Sequence, residues 1–168
     1  NLHLDPGLAF GTGSHPTTHL CLNWLDLQNL EDKVVIDFGC GSGILGIAAL
    51  LLGAKKVVAI DNDPQALTSS QNNAELNGIA ETQLTTYLPH QVPSDIKADI
   101  LVANILAEPL IELAPVLCAM SHDNCHLCLA GLLDTQIKDV SAPYSEEFKF
   151  LQPTIESGWA LLEAIKIK

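Results

Sequence analysis

A glycine-rich turn between an apolar strand and an apolar helix constrains this chain more than any other feature of its sequence. Residues 34–46 are VVIDFGCGSGILG, a β-branched run followed by glycines at alternate positions and then by an apolar helical pattern. Glycines let the backbone turn sharply and let a ligand approach main-chain atoms. The start of the following helix offers unpaired N–H groups. The segment therefore predicts a strand–turn–helix unit with a ligand site at the turn.

An acidic residue follows this turn at the distance expected of a ribose-binding site. Asp61 ends a second apolar run, eighteen residues past Gly43. A carboxylate at the tip of the second strand can accept hydrogen bonds from both ribose hydroxyls of a ligand. Strand, glycine turn, helix, strand and acid together are far more specific than glycine spacing alone. The sequence thus predicts a binding site at Gly39, Gly41 and Asp61.

Strand and helix patterns alternate along the rest of the chain. Strands are expected at residues 34–38, 57–61, 83–86, 99–103 and 126–130, with a closing antiparallel pair at 148–152 and 159–167. Helices are expected from Thr17 and over 44–52, 64–77 and 108–120, the last one kinked by Pro115. Near-continuous apolar strands separated by helices indicate an α/β fold, whose parallel sheet is covered on both faces.

Composition limits the ligands and partners. The 168 residues fit one domain, and 8 Lys+Arg against 20 Asp+Glu give a net charge of −12. All eight positive residues are lysines. A nucleic-acid interface needs a cationic face, and a bidentate phosphate clamp needs arginine. We therefore expect no direct nucleic-acid binding and a ligand that lacks phosphate.

Neither a membrane segment, a disulfide framework nor a metal site is expected. The longest apolar run, residues 44–53, is about half the length of a membrane-spanning helix. Five cysteines, an odd number in a chain long enough to fold without disulfides, favour a reducing, cytoplasmic location. His122, Cys125, His126 and Cys128 are zinc-ligand types, but a strand points residues 125 and 128 to opposite faces.

Two cofactor classes fit the glycine turn. Gly41, Gly43 and Gly46 match the G-x-G-x-x-G pattern of dinucleotide-binding proteins, so an NAD-dependent oxidoreductase is one alternative. Asp37, however, ends the strand just before the turn, where a carboxylate repels a pyrophosphate and attracts an ammonium group. S-adenosylmethionine carries a ribose, an ammonium and a sulfonium but no phosphate, and it fits Asp37 better. A non-catalytic cofactor-binding module is the third alternative.

Four segments of the chain carry a family resemblance. They are LDPGLAFGTGSHPTT, VIDFGCGSGILGIAAL, VVAIDNDPQAL and ADILVANILAEPLIELAP. Over residues 4 to about 120 they closely resemble the bacterial methyltransferases that modify large-subunit ribosomal protein eleven, and the remainder resembles them more loosely. The glycine turn is shared by most class I methyltransferases, whereas GTGSHPTT and NILAEPL are much more specific.

This resemblance implies both a fold and an activity. The fold is the Rossmann-like class I methyltransferase fold, a seven-stranded, mostly parallel sheet with helices on both faces and an antiparallel C-terminal strand pair. The activity is transfer of methyl groups from S-adenosylmethionine to lysine side chains and the α-amine of a basic ribosomal protein. Family members usually carry a separate N-terminal recognition domain. Because the first residue is Asn1 rather than Met, we expect residues 1–168 to be the catalytic domain alone.

The resemblance also assigns site residues by position. Thr18, Gly39 and Asp61 match family cofactor contacts. Asn104 matches the residue at the tip of the fourth strand, beside the transferred methyl group. The Asn104 side-chain oxygen can accept a hydrogen bond from an amine and orient its lone pair. Asn104 is therefore predicted to be catalytic as well as cofactor-binding.

Two further residues near the predicted site have open roles. His15 lies in the Gly/Pro-punctuated loop of residues 5–16, where it is either a general base under a lid or a solvent-facing loop residue. Glu108 stands where the family often has glycine, which places a carboxylate near the mouth of the site.

Overall fold

The computed structural model describes residues 15–168, so most of the predicted loop at residues 5–16 lies outside the described residues. The strands are β1 (Val34–Phe38), β2 (Lys56–Ile60), β3 (Leu84–Tyr87), β4 (Ala98–Asn104), β5 (Ser121–Leu133), β6 (Phe148–Phe150), β7 (Thr154–Glu156) and β8 (Trp159–Lys166). The helices are α1 (Pro16–Asp26), α2 (Ile44–Leu51), α3 (Pro64–Leu76), α4 (Ala107–Glu112), α5 (Ala114–Ala119) and α6 (Ile137–Ser141).

The sheet confirms the predicted α/β fold class. Its strand order is β3-β2-β1-β4-β5-β8-β6, with β7 paired to β8 beside that path. Strands β1 to β5 run parallel, β8 runs antiparallel to β5, and β6 and β7 run antiparallel to β8. The path of seven strands is the one expected, and β7 adds a short eighth strand in a hairpin with β8. The order reverses between β1 and β4, and ligands of open α/β sheets bind at such a reversal.

Two apolar cores cover the two faces of the sheet. Alternate strand residues point to opposite sides, so Ile36 and Leu101 belong to the core beneath α4, α5 and α6, whereas Val35 and Val102 belong to the core beneath α1, α2 and α3. The strand β5 follows the same rule: Cys125 lies in the α4–α6 core and Cys128 in the α1–α3 core. The predicted separation of these two cysteines is thus confirmed.

All five cysteines are free and buried. Within residues 15–168, no cluster of three or more potential metal-ligating side chains occurs. In the same part of the chain, no helix has the length and apolar character needed to cross a membrane.

The region predicted as one kinked helix, residues 108–120, is two short helices. They meet at Leu113, and Pro115 lies in the first turn of α5. Proline lacks the N–H that would continue α4, and its ring clashes with the carbonyl group four residues earlier. The effect of Pro115 is therefore a break rather than the expected kink. Since α4 begins at Ala107, directly after β4 ends at Asn104, it lies at the carboxyl end of that strand, where the site is found.

Candidate active site

A cavity of about 560 Å³ opens at the carboxyl ends of β1, β2 and β4, where the strand order reverses. All the site residues predicted from the sequence line this cavity, namely Thr18, Asp37, Gly39, Gly41, Asp61 and Asn104. They come from four separate parts of the chain. The parallel sheet brings five of them together because the carboxyl ends of its strands share one edge, and Thr18 is added by the start of α1.

The glycine turn is fixed by the neighbouring strand β2. The backbone N–H groups of Gly39 and Cys40 both donate to the Ile60 carbonyl, at 2.7 and 3.0 Å. Gly39 has a φ of +78° and Gly41 a φ of +53°, a conformation that glycine adopts at no steric cost. The turn therefore presents its main chain to the cavity in one defined conformation.

Asp61 is fixed by main-chain donors on both of its carboxylate oxygens. Oδ2 accepts from the Gly41 N–H at 3.0 Å, and Oδ1 accepts from the Asp63 N–H at 3.0 Å. A carboxylate oxygen has two lone pairs, so each oxygen keeps a second acceptor position. Since Asp61 lines the cavity, it can bind a diol there without losing its own supports.

The helix α3 supports the turn from behind through residues that sequence reasoning missed. Ser70 donates to the Gly41 carbonyl at 3.0 Å, and Asn73 donates to the Ser42 carbonyl at 2.9 Å. Both side chains are fully buried. A Cβ on Gly43 would lie 2.9 Å from Ser70 Cβ, so this helix can pack here only against glycine. Polar residues three apart on one helix face were the only sign of this support in the sequence.

Asp37 is a buried acid at the back of the site. Its side chain is 2% exposed and accepts a hydrogen bond from the Gly46 N–H at 3.2 Å. Burial raises the pKa of Asp37 to about 7, and the negative charge of Asp61 adds to the rise, whereas the Gly46 hydrogen bond opposes it. A cation bound next to this carboxyl group would restore the ionised form.

Gly46 serves helix packing. A Cβ at this position would lie 2.8 Å from Val57 Cγ1 on β2. The third glycine of the dinucleotide-like pattern therefore allows α2 to lie close against the sheet, which is needed whichever ligand occupies the turn.

Asn104 and Thr18 meet across 86 residues of sequence. The Asn104 side-chain N–H group donates to Thr18 Oγ1 at 3.4 Å, and Thr18 is fully buried at the start of α1. The amide is thereby turned so that its oxygen is the atom left to accept from a ligand.

His15 forms the cavity wall beside Thr17 and Trp159. Its Nδ1 accepts from the Thr17 N–H at 3.2 Å, which makes His15 the N-cap of α1, and lies 2.8 Å from Thr17 Oγ1. The ring packs edge-on against Trp159, with centroids 5.2 Å apart. His15 is thus a half-buried capping residue in the site wall, with Nδ1 used as an acceptor, and not the solvent-facing loop residue that was one of its two open roles.

The residue after Asn104 is enclosed by two glycines. A Cβ on Gly39 would lie 2.4 Å from Ile105 Cγ2, and a Cβ on Gly131 would lie 2.2 Å from the Ile105 carbonyl oxygen. The Ile105 N–H also donates to the Ala130 carbonyl at 3.0 Å. This close packing fixes the chain where it leaves β4. Sequence reasoning missed Gly131 because its role depends on Ile105, a distant residue just beyond the end of β4.

Comparison with known proteins agrees with this geometry. The family model described as ribosomal protein L11 methyltransferase (PrmA) matches residues 1–166. The chain belongs to the PrmA family. The ribosomal protein L11 methyltransferase of Vibrio parahaemolyticus is 54% identical over 167 residues, which are 99% of this chain and 56% of that relative. The chain thus spans about half the length of the curated relatives that it matches.

Solved structures place this PrmA-family chain among the methyltransferases by fold. The crystal structure of the ribosomal protein L11 methylase of Lactobacillus delbrueckii subsp. bulgaricus has a TM-score of 0.88 and 34% identity, and it covers 99% of this chain and 86% of that one. A Thermus thermophilus 16S rRNA methyltransferase, solved with AdoMet and guanosine, has a TM-score of 0.79 and 21% identity, with 99% of this chain and 47% of that one covered. The second likeness is one of fold alone.

Proposed function

We propose that this chain is the catalytic part of an S-adenosylmethionine-dependent protein methyltransferase that transfers methyl groups to lysine side-chain and α-amino groups of ribosomal protein L11. The observation that carries the proposal is the family match over residues 1–166 together with one cavity that holds Asp61, the glycine turn and Asn104. The first two suit a nucleoside and the third suits an amine.

The cavity residues fit S-adenosylmethionine group by group. Asp61 has acceptor positions for both ribose hydroxyls, and the backbone at Gly39 and Gly41 lines the cavity beside it. Asp37 suits the ammonium group, because a neighbouring cation offsets the cost of burying its charge. The first N–H groups of α1, at Thr18, suit the carboxylate. When bound, this cofactor supplies a methyl group on a positively charged sulfur.

Asn104 is the proposed catalytic residue. A lysine amine has an ordinary pKa near 10.4 and must lose a proton before it can attack. The Asn104 side-chain oxygen, oriented by the contact with Thr18, accepts a hydrogen bond from the amine and directs its lone pair at the methyl group. Alignment of this kind supplies most of what an in-line transfer needs from a protein. The proton leaves to solvent, since Nδ1 of His15 is already hydrogen-bonded at the helix start.

The family match favours this function over the two alternatives. The G-x-G-x-x-G match is weak support for a nicotinamide enzyme. Gly46 is explained by its packing against Val57, and the carboxylate of Asp37 would repel a pyrophosphate. A non-catalytic module would have no need for the Asn104–Thr18 pair.

The proposed substrate is a basic ribosomal protein, and the proposed location is the cytoplasm. A net charge of −12 attracts such a partner, and salt weakens that attraction over a Debye length of about 10 Å at 0.1 M. Long-range attraction does not select one lysine. We propose that selection resides in an N-terminal recognition domain, in the part of the relatives' length that this chain does not span. Direct nucleic-acid binding is not part of the proposal.

Two measurements test the function. Calorimetric titration with S-adenosylmethionine should show one site, whereas NAD should show no binding, and the reverse result would make the chain a nicotinamide protein.

In a radiolabelled methyl-transfer assay, the 168 residues should modify lysine-rich peptides about as well as folded L11. A longer protein with the N-terminal part should prefer folded L11. Equal rates on folded L11 for both proteins would show that the recognition domain is not needed.

A further inference from the structure

An exposed leucine stands at the mouth of the cavity. Leu106 is 67% exposed although it lines the cavity and lies only two residues beyond Asn104. Pro109 and Leu113 line the same cavity. Leu106 is the N-cap of α4, Pro109 lies within the helix and Leu113 is its C-cap, so the three side chains follow the length of α4 along the cavity. We call these three residues the apolar ridge; it leads from the proposed amine position to the surface.

The ridge is bordered by negative charge. Glu108 and Glu112 are four residues apart on α4, and both are exposed. The sequence contains no Lys or Arg between Lys97 and Lys138. α4 itself therefore carries no positive side chain, and the next one along the chain, Lys138, belongs to α6, which packs against α4. The helix at the mouth thus combines an apolar strip with two exposed carboxylates, which we call the acidic border.

We propose that the apolar ridge binds the substrate chain next to the methylated lysine, and that it selects an aliphatic residue beside that lysine in a positively charged segment. This inference rests on the proposed function and specifies its substrate class. A lysine whose amine reaches Asn104 extends its four-carbon stem through the cavity. Its backbone is then at the mouth, and a neighbouring apolar side chain covers Leu106. Removing that exposed apolar area from water favours binding, and Glu108 attracts the positive charge of the segment.

The test uses two short acetylated, fluorescein-labelled peptides that differ only in the residue after a single lysine, leucine in one and serine in the other. Fluorescence anisotropy with S-adenosylhomocysteine present measures binding without turnover. We expect the leucine peptide to bind wild-type protein about tenfold more tightly than the serine peptide. Leu106→Ser should reduce this preference to about twofold or less. The matched control is Leu76→Ser: Leu76 is 58% exposed and ends α3, at the opposite edge of the sheet, so the preference should persist.

A second pair of variants tests the acidic border. Glu108→Gln should weaken binding of a peptide with an additional lysine by about threefold at low salt, and the difference should vanish at high salt. Glu75→Gln, an equally charged change on the exposed end of α3, should leave binding unchanged. An equal effect from both variants would show that peptide binding depends only on the net charge of the protein, and it would overturn the role given to Glu108.

Failure of the ridge and failure of the proposed function give different results. If wild-type protein binds S-adenosylmethionine and methylates both peptides but shows no leucine preference, or if Leu106→Ser keeps the preference, the ridge proposal is overturned and the function stands. If calorimetry shows no S-adenosylmethionine binding and neither peptide is methylated, the proposed function fails and the ridge proposal fails with it.

Discussion

The two sides of the cavity are held in different ways. On the turn side, formed by β1, β2 and α3, hydrogen bonds fix the main chain: Gly39 donates to Ile60, Gly41 donates to Asp61, and Ser70 and Asn73 hold the turn from behind. On the acceptor side, formed by β4, β5 and α1, the Asn104 side chain has, among residues 15–168, one hydrogen bond, at 3.4 Å to Thr18, and the chain beyond it is held by close packing.

This difference matches what each side is proposed to bind. A cofactor is the same molecule in every cycle, so preformed main-chain donors and a fixed carboxylate suit it. An amine that gains methyl groups changes its size and its hydrogen-bonding capacity between cycles. One side-chain amide with a single support can adjust to these changes, whereas a rigid set of donors cannot. The predictions below test this contrast.

The largest expected effect comes from Gly131→Ala on the acceptor side. The new Cβ would lie 2.2 Å from the Ile105 carbonyl oxygen, and the residue has a φ of +93°. We expect the free energy of unfolding, measured by denaturant titration, to fall by about 4 kcal/mol or more, or the chain to fail to fold. Gly78→Ala is the matched control: its φ is +72° but no atom lies within 4 Å of a Cβ there, so it should cost only about 1–2 kcal/mol. Equal losses for the two variants would show that Ile105 is not tightly enclosed.

Asn104→Ala separates the two sides by function. Because its proposed partner is the amine in the transition state, turnover should fall by about 100-fold or more, while cofactor affinity changes by no more than about threefold. Thr18→Ser keeps the hydroxyl that supports Asn104 and should keep most of the turnover, whereas Thr18→Val should not. Lost cofactor affinity with turnover retained at saturation would make Asn104 a binding residue only.

Asp61→Ala should have the opposite pattern. It removes the charged acceptor proposed for two ribose hydrogen bonds, each contributing about 1.5–3 kcal/mol, and it also releases the Gly41 N–H. Cofactor affinity measured by calorimetry should fall by a few kcal/mol. Asp63→Ala removes the same charge two residues away, at the cap of α3, and should change affinity little. Unchanged affinity in Asp61→Ala would refute the ribose assignment.

The smallest expected effect is the pH dependence of cofactor binding. Because the pKa of Asp37 is raised to about 7, the carboxyl group is largely protonated at pH 6 in the free protein. Binding of an ammonium group next to it favours the ionised form and releases a proton. Affinity should therefore rise by about fivefold between pH 6 and pH 7.5. Asp37→Asn should remove this slope, and a slope that persists in the variant would place the titrating group elsewhere.

Protein stability should depend on the same group in the opposite direction. The ordinary pKa of an aspartate side chain is 3.8, and the pKa of Asp37 in the folded protein is about 7. The folded chain thus holds this proton more tightly, so stability contributed by Asp37 is present below about pH 4. It is lost as the pH rises to about 7 and changes no further above that. The difference between wild-type and Asp37→Asn denaturation curves, measured across this range, isolates the effect.

The sequence alone determined the turn side of the site, apart from the support that Ser70 and Asn73 of α3 give to the turn. The strand, the glycine turn, α2 and the position of Asp61 depend on residues close together in the chain, where spacing and residue type dictate geometry. Each of these features lies where it was predicted. The same is true of the parallel sheet, since unbroken apolar strands between helices have few other ways to be buried.

Only the tertiary structure decided the geometry of the acceptor side and the pKa of Asp37. The Asn104–Thr18 contact joins residues 86 apart, and Gly131 is required because Ile105, just beyond the end of β4, lies against it. The pKa of Asp37 depends on burial beneath α2, and the exposure of Leu106 at the start of α4 depends on which segments pack around that helix. Such features arise from packing between distant segments, and local spacing does not encode which segments will meet.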